Sequence, residues 1–145
     1  MSALLEASST ILPPDYRPSE KERFMNPVML EYFRQKLLRW RGELLIESNE
    51  TIKEMQEDNL QKPDIADRAS AETDHALELR TRDRERKLIS KINAALEKID
   101  DGTYGYCEET GEPISLKRLE ARPIATLSIE AQERHERRER VYRDE

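Results

Sequence analysis

A single cysteine, Cys107, in a chain of 145 residues excludes an internal disulfide and, by itself, a structural zinc site made of thiolates. Only 4 glycines and 7 prolines are present, which favours long solvated helices over a strand-rich sandwich or barrel. No apolar run approaches the roughly 20 residues needed to span a bilayer, and residues 1–12 lack the basic and apolar regions of a secretory signal. A cytoplasmic protein with no membrane segment is expected. Hydrophobic residues make up 36% and charged residues 39%, against usual values of roughly 45–50% and about 25%. That balance excludes one large globular core and predicts an elongated, mostly helical molecule. A net charge of −6 argues against gripping nucleic acid through overall charge. Enzyme signatures are missing too: there is no P-loop, no glycine-rich dinucleotide motif and no H-E-x-x-H. Cys107 has no nucleophile context, and His75, beside Asp74, reads as a surface residue.

What is present is helical periodicity. Residues 1–25 read as an irregular N-terminal arm, with Pro13-Pro14 and Pro18-Ser19 among scattered Leu and Ile. Asn26-Pro27 offers a capping residue followed by proline at the first helical position. From there Leu30, Phe33, Leu37, Trp40, Leu44, Ser48, Ile52 and Met55 recur at spacings of three and four, one apolar stripe. Pro63-Asp64 ends that helix and caps a second one running to about Ile99, with Leu88, Ile92, Ala95 or Leu96, and Ile99 as clear apolar positions and Ala76, Leu77 and Leu79 as thinner ones. Two helices of near-equal length joined by a short turn predict an antiparallel hairpin over 26–101, its tip near 61–69. A small globular piece over 102–124 follows, with Thr110-Gly111-Glu112-Pro113 as a tight turn, then a C-terminal helix over 125–145 capped by Thr126 or Ser128. The expected fold is therefore mainly α: a long two-helix coiled coil, a small domain and a final helix.

Charge is uneven along the hairpin. Residues 50–78 carry nine acidic and three basic side chains, whereas 80–91 carry six basic and two acidic. Asp64 and Asp67 fit a helix cap, and they equally fit a pair of carboxylates offered to a basic surface or a metal in another macromolecule. Arg84, Leu88 and Lys91 share one helical face by i, i+4, i+7 spacing and suit phosphate, though a salt-bridged solvent face reads the same way. Cys107-x2-Thr110 and Ser128-x2-Ala131 have the outline of a C-x2-C…C-x2-C zinc site with three corners replaced. One thiolate with weak hydroxyl donors is a poor set, so zinc is not expected.

Four ordered blocks resemble the DksA/TraR family of bacterial transcription factors: Pro63-Asp64-Ile65-Ala66-Asp67-Arg68-Ala69, the stretch from Glu78 to Ile89, Tyr104-Gly105-Tyr106-Cys107, and Arg118-Leu119-Glu120-Ala121-Arg122-Pro123. The resemblance covers roughly residues 26–131 and marks a cysteine-poor variant with a degenerate zinc finger. It implies a monomeric regulator that binds RNA polymerase directly through the secondary channel, with no sequence-specific DNA binding. With the alarmone ppGpp, such a regulator represses ribosomal RNA promoters and activates some biosynthetic ones in the stringent response. By position, Asp64, Asp67 and Ala69 match the family's tip residues, and Arg84, Leu88, Lys91 and Arg122 match residues of the ppGpp site. Gln132 stands where the family usually places a further lysine, which implies a weaker alarmone response. A Gre-like transcript-cleavage factor, with tip acids helping to hold a catalytic metal, and a non-catalytic coiled-coil scaffold are the competing readings.

Overall fold

A computed structural model describes residues 11–61 and 65–144; the side chains at 51, 55, 58–61, 65–69, 71, 143 and 144 lie outside that description. Among the described residues four helices follow in order: α1 (Pro27–Gln61), α2 (Ile65–Asp101), α3 (Leu116–Ala121) and α4 (Ile129–Asp144). The chain divides into two compact units, Met1–Leu37 with Ala94–Glu145, and Leu38–Asn93. Among the described residues no helix is long and apolar enough to cross a membrane.

Helix α1 begins where Asn26-Pro27 predicts. The Asn26 Oδ1 accepts from the Met29 amide at 3.0 Å, satisfying a free N–H of the first turn. Of the predicted stripe, Phe33, Leu37 and Leu44 are buried, with Met29 fully buried in place of the half-buried Leu30; Trp40, Ser48 and Ile52 are half-buried, and Met55 lies outside the described side chains. Residues 11–26 belong to the first unit and have no regular helix or strand. The ring of Tyr16 meets Tyr32 edge-on at 5.9 Å, and Phe24 meets Tyr106 at 5.3 Å. Met25 takes a positive φ of 52° beside Gly105 at φ 92°, where an added Cβ would stand 2.7 Å from the Met25 Cε. Gly105 is thus required by both its backbone and its neighbour.

The core of this unit gathers Met29, Phe33 and Leu37 from α1, Ala95 and Ile99 from α2, and Tyr104, Ile114, Leu119 and Ile124 from the segments that follow. Polar ties fasten the same unit. Tyr32 donates to Glu120 Oε2 at 3.0 Å, and Lys36 Nζ donates to the Glu120 carbonyl at 2.7 Å and its carboxylate at 3.0 Å. Glu31, nearly fully buried, takes Arg34 through both its oxygens and Gln35 through one. Burial pushes the Glu31 carboxyl up, but the hydrogen bonds and charge of these partners outweigh it and hold the group below its ordinary value.

In the second unit α1 and α2 run antiparallel, with Leu44 and Ile92 buried and Arg41 donating to Asn93 Oδ1 at 2.8 Å. Two sequence expectations are corrected here. His75 is not a surface residue: it is only 9% exposed. Ala76, Leu77 and Leu79 do not face inward; all three are exposed, the leucines by 55% and 46%, because Glu78 and Arg82 occupy the inward row beside them.

Candidate functional site

Three groups of residues were singled out by sequence, and the structure places them differently. Asp64 and the capping role read for it lie outside the described residues. Asp67 and Ala69 fall in the first turns of α2, their side chains outside the description.

Arg84, Leu88 and Lys91 do share a stripe of α2: the two cations are exposed, and Leu88 is half-buried between them at the edge of the inward row. Arg122 is exposed at the C-terminus of α3, where its amide donates to the Arg118 carbonyl. It belongs to the other unit. Gln132 donates through its side chain to Glu136 at 3.2 Å and through its amide to the Ser128 carbonyl.

The finger-like segment is the most completely built. The Cys107 amide donates to the Glu112 carbonyl at 2.8 Å and its own carbonyl accepts from Gly111 at 2.8 Å, closing the turn that the sequence marks at Thr110–Pro113. Gly111 makes this turn possible at φ 74°. A bridge pairs Tyr106 with Pro113, and Glu108 donates to the Thr126 carbonyl at 2.9 Å. Of the two candidate caps, Ser128 is the one used: its hydroxyl accepts from the Ala131 amide at 3.2 Å and starts α4. Arg134 and Arg138 of α4 then reach Glu109, each at 3.9 Å.

Cys107, Thr110 and Ser128 therefore come together, with Ala131 fully buried beside them on α4. The Cys107 side chain is buried at 2% exposure. Burial alone would push its thiol up; the Thr110 hydroxyl and the amides of Ser128, Thr110 and Glu109 donate to the sulfur and bring it down to about 6. Zinc asks for four nitrogen, sulfur or carboxylate donors around a tetrahedron. One sulfur, two hydroxyls and a methyl group do not fit that requirement, and among the described residues no three His, Cys, Asp or Glu are grouped to hold a metal ion. Hydrogen bonds to sulfur and an apolar corner occupy the positions instead.

Residues 29–99 match the model of the DnaK suppressor protein DksA N-terminal domain, and residues 102–137 match the prokaryotic dksA/traR C4-type zinc finger. The chain belongs to the DksA family. It is 69% identical over 131 residues to the RNA polymerase-binding transcription factor DksA of Caulobacter vibrioides, covering 90% of this chain and 92% of that one. Against the protein of the same description from Escherichia coli K12 the identity is 45% over 125 residues, 86% and 83% of the two chains. The solved structure of transcription factor DksA2 from Pseudomonas aeruginosa superposes with a TM-score of 0.77 at 44% identity, covering 86% of this chain and 94% of that one. The coiled-coil fold expected from sequence is the family's fold.

Sequence reasoning missed the Glu31–Arg34–Gln35 cluster and the Tyr32–Lys36–Glu120 ties. The i, i+3 and i, i+4 spacing within the first is visible in the sequence; the second joins residues 88 and 84 positions apart and leaves no local signal.

Proposed function

We propose that this chain is a cytoplasmic regulator that binds bacterial RNA polymerase through the secondary channel and adjusts initiation together with ppGpp, without catalysis of its own. The observation that carries this reading is the 69% identity over nine-tenths of the chain to a relative described as an RNA polymerase-binding transcription factor. In this reading the hairpin of residues 26–101 is the inserted arm, and Asp64, Asp67 and Ala69 act at its tip near the polymerase active centre. Arg84, Lys91 and Arg122 supply cations to the alarmone, since guanidinium and ammonium groups pair naturally with a polyphosphate. The exposure of all three supports that role. Leu88 supplies the apolar contact between the two cations of α2. The finger-like segment holds its shape without zinc, through the Cys107 hydrogen bonds and the Ser128 cap.

Multiple-round transcription by purified bacterial polymerase from a ribosomal RNA promoter tests this directly. Inhibition by the monomeric protein that deepens with ppGpp is expected. Asp67→Asn is expected to bind polymerase yet lose the inhibition; equal activity of that variant removes the tip role. Shortening of RNA in halted complexes would replace this reading with a cleavage factor.

A further inference from the structure

Along α2 the inward-facing positions are His75, Glu78, Arg82, Glu85, Leu88, Ile92, Ala95 and Ile99, set apart by three and four residues. From Leu88 onward this row is apolar. From Glu85 back to His75 every member is titratable. Among the described residues, the Nε2 of His75 is buried with no hydrogen-bond partner, and so is the Oε2 of both Glu78 and Glu85. Arg82 stands four residues from one carboxylate and three from the other, yet leaves those two oxygens unpartnered. On α1 the described stripe weakens toward the same end of the hairpin, from buried Leu44 to half-buried Ser48 and Ile52.

Burial of apolar surface is what holds two helices together. A row of polar groups supplies little of it, and a buried polar atom without a partner lowers stability outright. A helix deprived of its packing face is itself marginal in water.

We propose that the part of the second unit around His75–Glu85 is a separately opening segment, in which the pairing of α1 with α2 separates and recloses while the pairing beyond Leu88 stays intact. The boundary is set by composition: the last polar member of the row is Glu85 and the first apolar one is Leu88. Opening frees His75, Glu78 and Glu85 to regain water, so the orphaned atoms that weaken the closed form stabilise the open one.

Hydrogen–deuterium exchange on the full chain alone tests this. Amides between 75 and 85 are expected to exchange at least about tenfold faster than those between 88 and 99. Replacing the polar members together, as H75L/E78L/E85L, is expected to bring the two stretches within about threefold. The single substitution Glu85→Leu, one layer from the apolar row, keeps the test available should the triple variant associate with itself. It is expected to extend protection by about one turn. Equal protection of both stretches in the unmodified chain overturns the proposal, as does fast exchange that Glu85→Leu leaves unchanged.

Discussion

The buried phenol of Tyr104 donates to the carbonyl of Pro123 at 2.7 Å, closing the finger-like segment on the chain that leaves α3. Burial, then the nearby Glu120 charge, drives the phenol far above its ordinary value, so it stays a donor throughout the accessible pH range. Tyr104→Phe keeps the ring against Phe33 and strands the Pro123 carbonyl. A loss of about 1–2 kcal/mol in urea unfolding is expected; no loss would mean the carbonyl finds another donor.

Cys107 makes stability depend on pH. Its folded value of about 6 lies below that of a free thiol, so the thiolate is stabilised by folding. That contribution is fully present above the unfolded value of roughly 8.5 and is lost as pH falls through the folded one. Urea midpoints of the unmodified protein are expected to fall between pH 9 and 6 relative to Cys107→Ala. Parallel curves would show that the sulfur does not carry the charge.

Metal dependence is set by three side chains. Chelators are expected to leave the melting temperature unchanged. Supplying the missing donors as Thr110→Cys, Ser128→Cys and Ala131→Cys together is expected to create a tetrahedral thiolate site that takes up one zinc ion per chain and makes melting chelator-sensitive. Metal analysis of both proteins decides it, and zinc in the unmodified protein would contradict the hydrogen-bonded account.

The cationic stripe predicts a selective defect. Arg84→Ala with Lys91→Ala is expected to leave inhibition without ppGpp largely intact while reducing its deepening by ppGpp at least about tenfold in effector concentration. Both residues are exposed, so circular dichroism should stay unchanged. Gln132→Lys is expected to move the same titration in the opposite direction.

The starts of α1 and α4 were legible because they rest on local chemistry, a capping asparagine before proline and a serine before α4; the short α3, inside the segment read only as a small globular piece, was not. The first half of the α1 stripe was legible because Phe33, Leu37 and Leu44 are apolar and buried. The α2 row from His75 to Glu85 was not, since its inward members are polar and the leucines beside it face solvent, inverting the usual pattern. The meeting of Cys107 with Thr110 and Ser128 was readable from paired spacings. The alarmone role proposed for Arg84, Lys91 and Arg122 rests on the family likeness, because exposed cations on a helix read equally as a solvated face.

The first compact unit is discontinuous in sequence, built from the chain up to Leu37 and again from Ala94. During synthesis at about 5–20 residues per second, its leading part waits several seconds for its trailing part. Throughout that wait Met29, Phe33 and Leu37 have no Tyr104, Ile114 or Leu119 to cover them. The nascent chain therefore carries a sticky apolar stretch from the synthesis of Leu37 until that of Leu119, which makes the ribosome-bound intermediate the stage at which chaperone capture or premature aggregation would act.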